Sequence, residues 1–446
     1  MSEVNLKKLI ISYNPWWNGD FTFNYIEREI YTNKLKRYMS EPQIIALTGI
    51  RRVGKTTIIY KIIKDCIARG MDPKSIFYFS FDSVKDLDLL TLLQEYELIT
   101  KKSTRKDKII LCFDEIQKID DWENKIKTIY DIQKIKENIK IYISGSESLF
   151  IKKKSKESLA GRIYEFKVSP FSFKEYLDYK EINYSDLALY ETELLKAFEN
   201  YILTQGFPEL IGNKNTSTDI ENIKIYSTNL LEKVIYSDII QQYKIREVAT
   251  LESMIKIISN EPGQIIDLAG LSNELNVSRH TVSNYMQYLI DSFLVKKVYN
   301  YFKNTRKSER KLKKYYPVII NSNILFSNDI LVRSKVFETV IINQTNINFF
   351  WRDEYQNEVD GIFVGKTIIP IEVKYGNIET NGVVKFLTKF NLDKGYIISY
   401  KEEKVITKKV KVRDNKGIVK EVEKTIYVVP AYKFLLFKDK YLETDI

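Results

Sequence analysis

The 446-residue chain is poor in the residues that build metal and disulfide sites. It contains one histidine, His280, and two cysteines, Cys66 and Cys112. A zinc site needs about four ligands drawn largely from these residue types, so the sequence excludes one. Both cysteines fall within apolar segments predicted as a helix and a strand, which is typical of small buried side chains rather than of a disulfide.

Long hydrophobic runs are also missing. No apolar stretch approaches the roughly 18 residues of a membrane-spanning helix, and residues 1–8 lack the basic start and apolar middle of a secretory signal. We therefore expect a cytosolic protein. With 44% hydrophobic and 29% charged residues, the composition is that of folded domains, and the length allows about three of them.

Positive charge, in contrast, is in excess. The chain has 70 lysines and arginines against 59 aspartates and glutamates, a net charge of +11. One explanation is an anionic partner, with nucleic acid the first candidate. The other is a general excess of lysine that raises the charge everywhere. The first explanation predicts that the positive charge is localised, and the second predicts that it is spread along the chain.

Glycine is scarce, with 16 residues, yet Gly49 and Gly54 stand at a diagnostic spacing before Lys55 and Thr56. The pattern G-x-x-x-x-G-K-T follows the apolar segment 44–47, and chance would produce it only about 0.01 times in such a chain. The glycines let backbone amides wrap a polyphosphate. Lys55 would reach the β and γ phosphates, and Thr56 would offer its hydroxyl to Mg²⁺ at the start of a helix. The predicted nucleotide-binding residues are Gly49, Ile50, Arg51, Arg52, Val53, Gly54, Lys55, Thr56 and Thr57.

An acidic pair supplies the second half of this predicted ATP site. The apolar strand 108–113 runs into Asp114 and Glu115. Asp114 would hold Mg²⁺, and Glu115 would polarise the attacking water. The alternative is an acidic pair that only ends a strand. The acidic pair follows Lys55 with a predicted strand and a predicted helix between them, and this order favours the catalytic interpretation.

Three further features near this site keep two interpretations each. Ser146, after the strand 139–143, is a candidate sensor of the γ-phosphate or an ordinary turn serine. Arg162 could reach a neighbouring subunit's γ-phosphate in a ring, or form a local salt bridge. The segment Asn14-Pro15-Trp16-Trp17 either braces the N-terminus or helps hold the base of the nucleotide.

The middle of the chain is predicted to be helical and then basic. After a helical lid, residues 263–301 have the order of a winged helix-turn-helix, with Ser278 as the N-cap of the second helix. The exposed face of that helix would carry Arg279, His280 and Asn284, which suit phosphates and base edges. The following segment 303–314 has seven basic residues against one acidic, which localises the charge and favours nucleic acid. Predicted phosphate contacts there are Lys307, Arg310 and Lys311. Protein docking is the alternative.

The last third of the chain is predicted to be a separate α/β unit with a second set of carboxylates. Asp360 and Glu372 lie on two paired strands, and alternation puts Glu372 and Lys374 on one face. Such a group can bind Mg²⁺ and position a water against a phosphodiester. Glu338 could add a third carboxylate from a helix. The predicted metal ligands are thus Thr56 and Asp114 in one site, and Glu338, Asp360 and Glu372 in the other. Asp360, Glu372 and Lys374 are also the predicted catalytic residues of this unit.

These motifs occur together in one known family. They are Asn14-Pro15-Trp16-Trp17, GIRRVGKTT at 49–57, FDEIQ at 113–117, ISGSESL at 143–149, LAGR and FKVSPFSFKEYL within 159–177, GFPE at 206–209, and EVDGIFV and IEVKYG within 358–376. The chain resembles the bacterial and archaeal AAA+ ATPases that join a P-loop domain and lid to a winged helix and a C-terminal restriction-endonuclease-like domain of the PD-(D/E)XK type. The resemblance implies ATP hydrolysis, Mg²⁺ and assembly into a ring or filament.

The predicted fold is therefore α/β, with a P-loop NTPase (AAA+) domain, a helical lid, a winged helix-turn-helix and a C-terminal α/β nuclease-like domain. Its predicted parts are an extension at 1–40, the ATPase domain at 41–170, the lid at 171–245, the winged helix at 246–314 and the nuclease-like domain at 315–446. Two functions are open: an ATP-driven machine that cuts or grips DNA, and an ATP-controlled signalling or assembly switch that docks protein and has an inactive nuclease-like domain.

Overall fold

The computed structural model describes residues 3–442 except 20, 24–26, 83, 85–86, 135–137, 147–157, 213–218, 305, 307, 309–311 and 414–418. The chain divides into two units. The first is Met1–Ser169 with Asp291–Phe293, and the second is Pro170–Ile290 with Leu294–Ile446. Among the described helices, none is long and apolar enough to cross a membrane.

The first unit is built on a parallel sheet of five strands in the order β2-β3-β4-β1-β5. The strands are β1 Ile44–Thr48, β2 Ile76–Ser80, β3 Ile109–Asp114, β4 Ile139–Gly145 and β5 Ile163–Lys167. Strands β1 to β4 are apolar runs buried along nearly their whole length, as expected for a parallel sheet covered by helices on both faces. The apolar segments 44–47, 108–113 and 139–143 predicted β1, β3 and β4 within two residues.

Helices surround this sheet, and the N-terminal ones differ most from the prediction. They are α1 Glu3–Tyr13, α2 Glu29–Lys36, α3 Lys55–Ala68, α4 Leu89–Thr100 and α5 Trp122–Lys134. The first was not predicted, although its Leu6 and Ile10 pack into the core of this unit. The sequence of 23–39 has a helical pattern, and the described helix within it is α2.

The Asn14 to Trp17 segment braces the N-terminus against β2. Both indole nitrogens, of Trp16 and Trp17, donate to the carbonyl of Ile76 at 3.1 and 2.9 Å. Asn14 exchanges hydrogen bonds with the backbone of Tyr78 in both directions. These contacts match the bracing interpretation, since they occupy the polar groups of the segment.

The second unit begins with helices, which include α6 Phe173–Lys180, α7 Glu191–Thr204, α8 Ile220–Lys233 and α9 Val248–Asn260. A capping box starts α6: Ser172 accepts from the amide of Glu175, and Glu175 accepts from the amide of Ser172. The polar break predicted at 212–219 lies mostly outside the described residues.

A helix, a turn and a second helix follow, α10 Leu268–Glu274 and α11 Arg279–Asp291. Ser278 caps α11 by accepting a 3.0 Å hydrogen bond from the amide of Thr281, as predicted. Strands β7 Val295–Asn300 and β8 Lys313–Pro317 then pair in antiparallel fashion.

One sheet of nine strands runs through the described part of this unit, in the order β13-β14-β12-β11-β10-β9-β7-β8-β6. The remaining elements are β6 Gln264–Ile265, α12 Ile330–Gln344, β9 Phe349–Arg352, β10 Glu358–Val364, β11 Ile368–Lys374, α13 Asn381–Phe390, β12 Lys394–Ser399, β13 Lys404–Arg413, β14 Val419–Pro430 and α14 Ala431–Leu436. The parallel pairing of β7 with β9 makes this sheet continuous. The boundary predicted between residues 314 and 315 falls inside β8, whose backbone pairs with β6 and β7.

Candidate functional site

The loop between β1 and α3 is shaped by its two glycines. Gly49 has a φ of 152°, and a Cβ there would lie 2.1 Å from the carbonyl oxygen of Val168, closer than any real contact. Gly54 has a φ of 91° and precedes the first residue of α3. Arg52 also adopts a left-handed conformation, with φ 65°, which is costly for a residue with a side chain. The loop is thus held in a tight wrapped form.

Lys55 lies buried against this loop. Its ammonium donates to the carbonyl oxygens of Gly49 and Ile50 at 2.9 and 3.1 Å. A buried ammonium requires such acceptors, because leaving water without them is costly. The same position lets the ammonium meet a phosphate bound to the amides of the loop.

Asp114, at the end of β3, accepts hydrogen bonds from hydroxyl groups on three different elements. Thr56 of α3 donates to Oδ2 at 2.6 Å, Tyr78 of β2 donates to Oδ2 at 2.8 Å, and Ser144 of β4 donates to Oδ1. Burial and the neighbouring Asp114 raise the pKa of Tyr78 far above its usual range, so this phenol stays a donor. Tyr78 and Ser144 were not predicted. Their signal was their place on the two strands that neighbour β3 in the sheet, Tyr78 in the middle of β2 and Ser144 near the end of β4.

The oxygens at this position fit Mg²⁺. One hydroxyl, of Thr56, and one carboxylate, of Asp114, are the hard ligands that this ion prefers, and it usually takes its remaining ligands from phosphate and water. With bound ATP, Thr56 and Asp114 would hold the ion beside the phosphates that Lys55 contacts. The structure brings together the three predicted residues on which this site depends.

Glu115 is held between a glutamine and an arginine. It has a left-handed backbone, with φ 54°, and its Oε2 accepts a 2.7 Å hydrogen bond from Gln117. Arg51 lies 3.8 Å from the same oxygen and 3.3 Å from Asp82. Gln117 also donates to Ser146 at 3.1 Å, so the candidate sensor is linked to the candidate base through one amide. Its sensor role stays a prediction.

Arg28, which was not predicted, hydrogen-bonds to the backbone of the loop. Its Nη1 donates to the carbonyl oxygens of Val53 and Ser169 at 3.0 and 2.7 Å. No local pattern marks this arginine, because it lies 25 residues before Val53 and 141 before Ser169.

Arg162 forms the local ion pair that the sequence allowed. Its Nε lies 3.2 Å from Oδ1 of Asp131, and its guanidinium lies over the ring of Tyr130. A role at a neighbouring subunit's phosphate stays a prediction.

The predicted nucleic-acid contacts are only partly within the described residues. Arg279 and His280 are exposed in the first turn of α11, and the amide of Asn284 lies 3.2 Å from Nδ1 of His280. Lys307, Arg310 and Lys311 lie outside the described residues.

In the second unit, the predicted carboxylates and lysine do come together. Lys374 lies 2.8 Å from Oε1 of Glu372, and Oδ2 of Asp360 accepts a 3.0 Å hydrogen bond from the amide of Val373. Glu372 and Lys374 share a face of β11, as alternation predicted.

A lysine that was not predicted lies among these carboxylates. The ammonium of Lys314, from β8, is 2.6 Å from Glu358, 3.3 Å from Glu338 and 3.3 Å from Asp360. Tyr316 donates to the same oxygen of Glu338 at 2.6 Å. We call these residues, with Glu372 and Lys374, the carboxylate cluster. The signal for Glu358 was its place two residues before Asp360, on the same face of β10.

Glu338 and Asp360, two of the three metal ligands predicted in this unit, share the ammonium of Lys314 in the structure. Within the described residues, no group of three or more His, Cys, Asp or Glu side chains is arranged to hold a metal ion. The physical reason is that Lys314 already lies between Glu338 and Asp360. These residues therefore do not fit Mg²⁺.

Two carboxyls of the cluster have raised pKa values. Burial, together with the charge of Asp360, raises the pKa of Glu338 to about 7 and that of Glu372 to about 8. Among the described residues, Oε2 of Glu372 is buried without a hydrogen-bond partner, so it is the oxygen that can carry a proton.

The parallel sheet, the phosphate loop and the acidic end of β3 define a P-loop ATPase domain of the AAA type. Residues 41–177 match the family model described as AAA domain. Residues 195–318 and 334–416 match two models described as domains of unknown function, DUF8612 and DUF4143. Lys314 lies in the first of these two segments, and its carboxylate partners lie in the second.

Relatives with full-length similarity have no described activity. The chain is 27% identical over 442 residues to the uncharacterized protein MJ1544 of Methanocaldococcus jannaschii, covering 92% of this chain and 90% of that protein. It is 25% identical over 438 residues to MJ1637 of the same organism, covering 92% and 88%.

Among solved structures, the Walker-type ATPase PABY2304 of Pyrococcus abyssi is similar over 68% of this chain and 96% of that chain, with 14% identity and a TM-score of 0.39. The Aeropyrum pernix ORC1 protein in complex with DNA covers 71% and 93%, with 13% identity and a TM-score of 0.33. Similarity at this level carries no information about ligands or partners.

Proposed function

We propose that this protein is a Mg²⁺-dependent ATPase that couples ATP binding and hydrolysis to DNA binding. The observation that carries the proposal is the meeting of Thr56 with Asp114 beside Lys55. An ammonium and a hydroxyl at the start of α3, with a carboxylate at the end of β3, form the set that phosphoryl-transfer sites of this class use.

Each residue of the site would have one task. Lys55 would exchange its two backbone carbonyls for the β and γ phosphates, while the loop amides hold the rest of the polyphosphate. Thr56 and Asp114 would hold Mg²⁺, which neutralises charge on the phosphates. Glu115 would leave Gln117 and Arg51 to orient the attacking water, and Ser146 would be linked to this change through Gln117.

DNA is the partner that the charge and the α11 surface favour. Arg279 and His280 are exposed near the start of the second helix of a helix-turn-helix, the part that usually meets base edges and phosphates. The basic residues Lys307, Arg310 and Lys311 follow in the sequence. We propose that this region binds the DNA backbone, and that several copies of the chain assemble on it.

For the C-terminal part, the proposed function does not include DNA cleavage. Cleavage by Asp360, Glu372 and Lys374 would require a metal ion at the carboxylate cluster, and Lys314 lies there instead. The sequence-based hypothesis of a nuclease is therefore not part of the proposed function.

The ATPase rate with and without duplex DNA tests this proposal. We expect Mg²⁺-dependent turnover that DNA increases, and its loss in Lys55→Ala, because the variant lacks the cation that binds the phosphates. Lys64→Ala, an exposed lysine on the same helix, is the matched control and should turn over normally. Turnover that survives in Lys55→Ala would contradict the site. A rate that DNA does not change, with no DNA binding, would favour the protein-docking switch.

A further inference from the structure

The carboxylate cluster contains its own cation. We propose that the ammonium of Lys314 takes the place of a divalent metal ion in this cluster, so that the C-terminal unit binds neither Mg²⁺ nor Mn²⁺ and holds its carboxylates for structure. This inference does not depend on the proposed ATPase, because it concerns residues of the second unit alone.

The contacts of Lys314 are those of a bound cation. Its side chain is only 6% exposed, and its three carboxylate partners come from two different elements, α12 for Glu338 and β10 for Glu358 and Asp360. A buried ammonium requires paired acceptors. Three carboxylates around one such group satisfy this requirement without any other ion.

Several of the oxygens that a metal would need are already occupied. In Asp360, Oδ1 contacts Lys314 and Oδ2 accepts from the amide of Val373. In Glu338, Oε1 accepts from both Lys314 and Tyr316. Glu372 offers the single oxygen Oε2, whereas Mg²⁺ typically takes about six ligands. A divalent ion within a few ångströms of Lys314 would also repel its ammonium strongly, because the site is buried.

The position of Lys314 indicates that the carboxylate cluster has a structural role in place of metal binding. In the sheet order, β9 and β7 lie between β10 and β8, yet Lys314 of β8 reaches Asp360 of β10. Its ammonium lies 5.5 Å from the ring centroid of Phe350 in β9, so the side chain extends over β9, one of the two strands between β8 and β10. The contact requires a strongly curved sheet. The ion pairs of Lys314 connect β8 and β10 to each other and to α12.

Manganese titration of the nucleotide-free protein tests this inference. We would measure Mn²⁺ binding by calorimetry and by the electron paramagnetic resonance signal of free Mn²⁺. The variants are Lys314→Met, which keeps the length and removes the charge, and the double variant Lys314→Met with Asp360→Asn. Lys313→Met is the matched control, because its side chain points to the opposite face of β8. Any binding that Asp114→Asn removes belongs to the nucleotide site.

We expect the wild-type protein and Lys313→Met to bind no Mn²⁺ through Asp360. Lys314→Met should gain one site with an affinity at least about tenfold above the wild-type background, and the double variant should lose it. The inference is overturned if the wild type binds one Mn²⁺ that Asp360→Asn removes. It is also overturned if Lys314→Met folds, as judged by circular dichroism, and gains no site. Should Lys314→Met fail to fold, the comparison of the wild type with Asp360→Asn decides.

Discussion

The hydroxyl of Thr56 donates a 2.6 Å hydrogen bond to Oδ2 of Asp114, although 58 residues separate the two in the chain. The contact joins the first turn of α3 to the end of β3. It places a hydroxyl and a carboxylate next to Lys55, which is the arrangement that the proposed chemistry requires. The first prediction concerns Glu115, the residue that follows Asp114.

Replacing Glu115 by glutamine should separate ATP binding from ATP hydrolysis. The amide keeps the size of the side chain and can still contact Gln117, but it cannot accept a proton from water. We expect the ATP affinity to stay within about threefold of the wild type. The turnover rate should fall by about 100-fold or more. Nucleotide binding by fluorescence and phosphate release under single-turnover conditions measure the two quantities.

Glu123→Gln, a buried glutamate in the first turn of α5, is the control for the loss of a buried negative charge elsewhere in the same unit. Full turnover in Glu115→Gln would remove Glu115 as the base. A loss of binding together with turnover would assign it a structural role.

Adding one methyl group at Gly49 should disrupt the loop itself. The Cβ of Gly49→Ala would lie 2.1 Å from the carbonyl oxygen of Val168, which is backbone and cannot rotate away. We expect the free energy of unfolding to fall by about 2 kcal/mol or more, with ATP binding lost even where the variant folds. Urea denaturation and nucleotide binding measure these effects.

Gly376→Ala is the matched control, because a Cβ there meets nothing within 4 Å. Its stability should stay within about 0.5 kcal/mol of the wild type. Equal stability in Gly49→Ala and Gly376→Ala would mean that the loop moves away from Val168 in solution.

The phosphate loop was predictable because its signal is local. Gly49, Gly54, Lys55 and Thr56 lie within eight positions of one another, and the fold of the loop follows from their backbone and side-chain chemistry. Asp114 was predictable because it ends an apolar strand, and the ends of neighbouring parallel strands meet at one edge of a sheet.

The partners that were missed are set by tertiary contacts alone. Lys314 lies 46 residues before Asp360, and no spacing in the sequence marks a lysine that crosses a curled sheet. The carboxylates of the C-terminal unit were therefore found, but the ammonium that contacts them was not. Arg28 was missed for the same reason, since its acceptors are backbone carbonyls that have no sequence signal.

Removing the charge of Arg279 should weaken DNA binding in a way that depends on salt. A phosphate contact releases counterions, so each one contributes roughly one unit to the slope of log affinity against log salt. We expect Arg279→Ala to lower the affinity and to reduce this slope by about one. Fluorescence anisotropy with duplex DNA over a range of salt concentrations measures both.

Lys408→Ala, an exposed lysine of β13, removes the same charge at a distant strand and is the control. An unchanged slope in Arg279→Ala would exclude a phosphate contact at this position. It would then favour α11 as a protein-docking surface.

The buried carboxyl of Glu372 should make stability depend on pH. Its pKa is raised to about 8 in the folded protein, first by burial and then by Asp360, from an ordinary value of 4.5. The folded state therefore holds a proton that the unfolded state releases. The resulting contribution to stability is complete below about pH 4.5 and is lost as the pH rises through 8. Glu372→Gln removes this titration and should flatten the decline of the free energy of unfolding between about pH 5 and 8.

Urea denaturation at several pH values in this range, without nucleotide or metal, measures the slope. Glu354→Gln changes an exposed glutamate of the same unit and should leave the slope as in the wild type. Above about pH 8, Glu372→Gln should be at least as stable as the wild-type protein, because the wild type then buries a charged oxygen that has no partner. A slope that is the same in the wild type and in Glu372→Gln would mean that Oε2 of Glu372 is paired or solvated in solution.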